Sequence, residues 1–280
     1  MLLGEVRLEV ISDGRFWMDG GAHFGLVPRP LWRRLIAPDG QNRIPMALSC
    51  LLIEAQGVHI VVDTGLGDKL SAKEREIWKP EREPGLLGSL ERKGVAPEEV
   101  EVVINTHLHF DHCGGNTTKN EAGIIAPTFP RAECWVQKGE WEAAHHTNEL
   151  SEVAYREENF HPLAEAGRLR LIEGEVAVTP QVRCLITPGH TRFHQSVVIE
   201  SGGKKAIFLG DLASWAVNME RLAWVSAADA EPYLTVETKR QIREWALEEG
   251  ALLIFAHDPR VKAGYLKREG KAWRVEPIDL

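Results

Sequence analysis

The chain has 280 residues, 44% hydrophobic and 26% charged, with a formal charge of −8. This is an ordinary globular mix, long enough to bury a full core, and it excludes wholesale disorder, a collagen-like chain and a disulfide-stapled miniprotein. Thirty-three Lys and Arg face 41 Asp and Glu without a basic block, so no nucleic-acid partner is expected. No apolar run approaches the ~20 residues of a membrane span, so no membrane partner is expected. Charge enters at Glu5, too early for a secretory signal. Cys50, Cys113, Cys134 and Cys184 are scattered and form no CxxC pair. They read as core residues of a protein kept in the reducing cytoplasm.

Val6, Leu8 and Val10 alternate with Arg7 and Glu9, which predicts a half-buried strand. Residues 14–46 are rich in Gly and Pro and read as an N-terminal loop extension. Their apolar residues, among them Trp17, Phe24 and Trp32, must bury somewhere: over the sheets, in a homodimer interface, or as a wall of a substrate pocket. Runs 47–54 and 58–63 form a hairpin around Gly57. Residues 86–93 read as a short helix stopped by Gly94, and Pro97 opens a turn before a strand at 100–105. Lys138 to His145 is helical. Residues 146–166 are polar and irregular, the best linker candidate, yet nothing there has a flexible composition. One domain over 1–280 is therefore expected. Strands follow at 168–172, 182–186, 195–200 and 205–209, the last two joined by Gly202-Gly203. A helix within 235–249, a buried strand at 252–255 and an edge hairpin around Gly270 complete the chain.

Strand–loop units rich in histidine and aspartate recur after the strands ending at 105, 186, 209 and 255, so the loops of two sheets are expected to meet at one rim. The first is His107-Leu108-His109-Phe110-Asp111-His112, with three histidines and an aspartate within six residues. Imidazole and carboxylate are the ligands of borderline divalent metals. His190, Asp211 and His257 follow the other three strands. Any one of these alone is an ordinary hydrogen-bonded side chain; together they make seven donors from four loops.

This HxHxDH…H…D…H series, spread over residues 45–260, resembles the metallo-β-lactamase superfamily. The resemblance implies an α/β fold of the α+β sandwich type, αβ/βα, with two facing mixed sheets flanked by helices. It assigns His107, His109 and His190 to one metal and Asp111, His112 and His257 to a second, with Asp211 bridging. Two divalent ions are implied; zinc suits the donors, and iron, manganese or cobalt also fit. A hydroxide between the ions would be the nucleophile, and Asp111 the group that moves a proton to the leaving oxygen. Asp63, at the end of the strand 58–63, would support the ligand loop from behind.

Asp211 argues against an ordinary β-lactamase, which carries cysteine or serine there. The run His107 to Asn116, with Trp135-Val136-Gln137 and Glu140-Trp141-Glu142, looks most like the N-acyl homoserine lactonases. A lactone or related ester is thus the expected small-molecule substrate. A phosphotriester, phosphodiester or thioester hydrolase is the enzymatic alternative. A mononuclear iron persulfide-type dioxygenase, using His107, His190 and Asp211, is the non-hydrolase one. The lactonases place a tyrosine shortly after the bridging aspartate, whereas this chain reads Asp211-Leu212-Ala213-Ser214-Trp215. Ser214 and, more remotely, Tyr155 are candidates to replace it. Phe110, Ser214 and Trp215 are candidate substrate contacts. His194 is a candidate support for the ligands; His59, His145 and His146 read as structural.

Overall fold

The computed structural model describes residues 1–280. The first part of the chain supplies β1 (Leu2–Leu3), β2 (Val6–Asp19), β3 (Arg43–Ala55), β4 (Val58–Val62), β5 (Val100–Ile104), β6 (Thr117–Lys119), β7 (Ile125–Pro127), β8 (Glu133–Gln137) and β9 (Leu169–Ile172). Seven of these form one sheet in the order β1-β2-β3-β4-β5-β8-β9, while β6 and β7 pair separately. The remainder supplies β10 (Val176–Thr179), β11 (Val182–Ile186), β12 (Gln195–Ser201), β13 (Lys204–Phe208), β14 (Leu252–Ile254), β15 (Ala263–Glu269) and β16 (Ala272–Ile278). These form a second sheet in sequence order. Both sheets are mixed, since β4-β5-β8-β9 run parallel in the first and β13-β14 in the second.

Alternation decides which side chains fill the space between the sheets. Leu51, Ile53, Ile60 and Val62 meet Val197, Ile199, Phe208, Leu252 and Ile254 there, all fully buried. The residues between them face outward. Val61, Val103 and Val136 are covered by Leu86 and Leu90 of the helix Gly85–Glu91 and by Leu163 of the helix His161–Glu165. Val198, Ile207 and Leu253 are covered by Ile242 and Ala246 of the helix Pro232–Glu248. Strands apolar on both faces therefore sit between helices, giving the layered αβ/βα sandwich expected from the ligand series. Truncating one central side chain, such as Phe208→Ala, should cost about 3–5 kcal/mol. No helix is long and apolar enough to cross a membrane.

Two expectations need correction. Residues 14–46 are not one loop. Strand β2 continues to Asp19 and β3 begins at Arg43, leaving the short helices Gly20–Phe24 and Arg29–Trp32 and the irregular stretch 33–42 between them. The register slips between Ser12 and Arg15, and Gly14 sits there at φ +102°, so the alternation breaks and then resumes. A side chain at Gly14 would collide with the Glu81 carbonyl, its Cβ 2.1 Å away. Residues 146–166 are not a linker either. The Phe110 N–H donates to the Ala154 carbonyl at 2.8 Å, and His109 bridges to Tyr155, so this stretch straps down the ligand loop. The helix Ala72–Trp78, closed by a reciprocal Ser71–Glu74 cap, was not anticipated.

Candidate metal centre

The strand ends deliver the seven donors to one place. His107, His109 and His190 form one group with mutually close donor atoms, and Asp111, His112 and His257 form another. Asp211 groups with His107 and His112. Its Oδ2 lies 3.4 Å from His190 Nε2, while its Oδ1 lies 3.2 Å from His257 Nε2 and 3.4 Å from His112 Nε2. One carboxylate thus faces both groups, one oxygen to each. Asp111 Oδ2 is 3.5 Å from His257 Nε2.

Hydrogen bonds on the far side of the rings fix which nitrogen faces inward. His112 Nδ1 donates to Asp63 Oδ2 at 2.8 Å, His190 Nδ1 to Asp229 Oδ1 at 2.8 Å, and His257 Nδ1 to the Ala47 carbonyl at 2.7 Å. Thr106 gives its hydroxyl proton to Asp63, so it accepts from His107 Nδ1 at 3.0 Å. Four Nε2 lone pairs are left for the centre, joined by His109 Nδ1. His190 Nε2 and His109 Nδ1 lie 3.0 Å apart, and His257 Nε2 and His112 Nε2 2.9 Å apart. His107 Nε2 and Asp211 Oδ1 are buried without a hydrogen-bond partner. Inward-facing lone pairs, orphaned buried atoms and a shared carboxylate fit divalent cations.

The electrostatics agree. Burial holds His107 and His109 well below the usual imidazole range, so both present neutral lone pairs. Burial also opposes charge on Asp211, but His257, His112 and His190 outweigh it and keep this carboxyl well below its usual range. Asp211 is therefore an anion; burial opposes charge on His112, His190 and His257, yet this carboxylate lifts all three above the usual imidazole range, drawing in positive charge that a cation pair would supply.

Asp63 lies behind the loop as the sequence suggested. Besides His112 it accepts from the Thr106 N–H at 2.8 Å and the Thr106 hydroxyl at 2.9 Å. His194 also supports a donor. Its Nδ1 donates to the Thr187 carbonyl, leaving Nε2 to accept from the Asp211 N–H at 3.1 Å. Gly210 allows this approach, because at φ +55° a Cβ would lie 2.7 Å from His194 Nε2.

Sequence reasoning missed the roles of two carboxylates. Asp229, which holds His190, lies in an irregular segment with no local signal. Glu140 is buried on the helix Lys138–His145. It accepts from the Leu108 N–H at 3.1 Å, the Tyr155 hydroxyl at 3.0 Å and the Thr191 hydroxyl at 2.6 Å. It thereby joins both histidine loops to the strap. Burial raises its carboxyl above the usual range.

The candidate substrate contacts are less open than expected. Phe110 is 6% exposed, packs on Trp78 at 5.3 Å and lies under the Arg156 guanidinium. Trp215 is 4% exposed, between His23 at 4.8 Å and Phe24 at 5.5 Å. Both belong to one cluster with Phe16, Phe24 and Trp32, so the N-terminal aromatic residues pack beside the centre. Phe16 reaches His257 itself, with ring centroids 5.9 Å apart. Ser214 is buried and its carbonyl accepts from the His257 N–H at 3.1 Å. Tyr155 lies against His109 at 5.0 Å, but its hydroxyl is committed to Glu140.

Comparison with known proteins agrees with this geometry. The family model for the metallo-β-lactamase superfamily matches residues 44–257. A Bacillus sp. protein named N-acyl homoserine lactonase is 31% identical over 227 residues, 77% of this chain and 82% of its own. A Rhizobium radiobacter protein of the same name is 23% identical over 77% of this chain and 83% of its own. A solved structure from Staphylococcus aureus, described as a probable metal-dependent hydrolase, superposes with TM-score 0.90 at 27% identity, covering all of both chains. An N-acyl homoserine lactone hydrolase, solved with N-hexanoyl-L-homoserine at its catalytic metal centre, superposes with TM-score 0.70 at 26% identity, over 92% of this chain and 95% of its own. The chain therefore belongs to the metallo-β-lactamase superfamily.

Proposed function

We propose that this protein is a dinuclear metal-dependent hydrolase that opens lactones or closely related esters, with N-acyl homoserine lactones as the first candidates. The observation that carries the reading is Asp211, whose two oxygens face two separate donor groups. His107, His109 and His190 would hold one ion, Asp111, His112 and His257 the other, and Asp211 both. When bound, such a pair would supply Lewis acidity and water acidified from 15.7 towards about 7. We infer zinc, whose preferred donors these are. A complete second donor group is what the mononuclear oxygenase reading leaves without a use. Relatives named for N-acyl homoserine lactone hydrolysis support the substrate class.

The chain's own residues do the rest. Asp63, Asp229 and His194 orient donors so that none must reorganise during turnover. Ring opening adds water across the acyl C–O bond, and the departing alkoxide needs a proton. Asp111, whose Oδ2 lies 3.5 Å from His257 Nε2 and 4.0 Å from His112 Nε2, takes a proton from the attacking water and passes it to that alkoxide. Glu140 keeps the two histidine loops in register. A reducing cytoplasmic setting accords with four buried free cysteines.

A hydrolysis panel of lactones, thioesters, organophosphates and β-lactams on metal-replete and chelated protein tests this reading. The expected result is lactone opening that chelation abolishes and divalent metal restores, with about two ions per chain. One iron per chain with oxygen uptake, or turnover confined to another substrate class, would overturn it.

A further inference from the structure

The N-terminal aromatic segment carries a histidine that the centre does not use. His23, in the short helix Gly20–Phe24, is 3% exposed, and its Nε2 is buried without a hydrogen-bond partner. Its ring is held between Phe24 at 4.6 Å and Trp215 at 4.8 Å. The backbone around it is fixed too. Ala227 N–H donates to the Ala22 carbonyl at 2.9 Å, and a Cβ on Gly25 would lie 2.5 Å from the Val225 carbonyl. A buried polar atom held this firmly is costly unless something meets it.

His23 lines a small cavity together with Asp211 and Ser214. The cavity leaves ≈ 10 Å³ for the centre of a water-sized atom, room for about one oxygen. An imidazole N–H in an oxygen-sized space beside the shared carboxylate, with Asp229 and Lys239 also in its lining, suits an oxygen acceptor.

We propose that His23 contacts the substrate, its ring N–H and the Ser214 hydroxyl holding the carbonyl oxygen of the lactone in the cavity beside Asp211. This rests on the lactone reading above. The segment at residues 20–25 thereby becomes part of the substrate site, although it lies far in sequence from every metal donor.

The test uses metal-loaded full-length protein and the variants His23→Phe, which fills the space without a donor, His23→Gln, which restores one, and Ser214→Ala. Three quantities are measured: kcat/KM on an N-acyl homoserine lactone, calorimetric affinity for the uncleavable N-acyl γ-lactam, and metal content. Loss of one donor to a developing oxyanion is worth about 10²–10³ in kcat. The expected result is a drop of that order for His23→Phe, weaker lactam binding, partial recovery in His23→Gln, a smaller loss in Ser214→Ala and unchanged metal content. Wild-type kcat/KM and lactam affinity in His23→Phe would overturn the inference and leave the lactonase reading standing. Equal loss in both His23 variants accompanied by lost metal would overturn it as well, because the role would then be structural. A wild-type protein that neither opens the lactone nor binds the lactam would overturn both.

Discussion

The two halves of the molecule build their share of the centre in different ways. The first half crowds four donors into six residues after β5, and they share supports. Asp63 reaches His112 directly and His107 through Thr106, while Glu140 holds the Leu108 N–H between His107 and His109. The second half offers one donor per strand end, each with a private partner: His190 with Asp229, Asp211 with His194, His257 with the Ala47 carbonyl. A shared support should fail broadly when removed, and a private one should fail locally.

That contrast can be broken by mutation. The largest expected effect is at Asp111, in the crowded loop but outside its shared bonds. Asp111→Asn, loaded with excess metal so that both sites are filled, should lower kcat by about 10²–10⁴; unchanged turnover with full metal content would remove it from the chemistry. Asp63→Ala should weaken retention of both ions by about 10–100-fold, read by chelator competition. Asp229→Ala should fall at the low end of that range and be confined to one ion. Equal loss of both ions in Asp229→Ala would erase the distinction between the halves.

The smallest effect concerns the strap over the first-half loop. Arg156 hydrogen-bonds Glu74 and holds its carboxyl down to about 2 from the usual 4.5. A folded-state value below the unfolded one means the stabilisation is present above pH 4.5 and is lost as pH falls towards about 2. Both side chains are partly exposed, so Glu74→Gln should cost no more than ~1 kcal/mol at pH 7. Melting curves of the two proteins should converge between pH 4.5 and 2. A gap that persists at pH 2 would assign the effect to packing.

The seven donors were legible because each follows an apolar strand, and a strand end is where a sheet presents its loops. Asp63 was legible for the same reason. The roles of Asp229 and Glu140 were not, because each meets its partner across 39 and 32 residues; Glu140 stands in a segment that carries the family resemblance, but nothing local tells what it holds. The strap at 146–166 looked like a linker because its bonds to the ligand loop run through the backbone, which composition cannot reveal. Strand β2 was cut short in the reading because a bulge at Gly14 breaks alternation without ending the strand. His23 was assigned nothing, since a lone histidine among aromatics gives no sign of what its ring faces.

The position of His257 at the end of β14 has a consequence in time. During synthesis the chain has exposed His107, His109 and His190 once residue 190 has emerged, but the second donor group waits for residue 257. At ~5–20 residues per second that interval is roughly 3–13 s. A nascent chain therefore passes through a stage with one donor trio complete and its neighbour lacking a member.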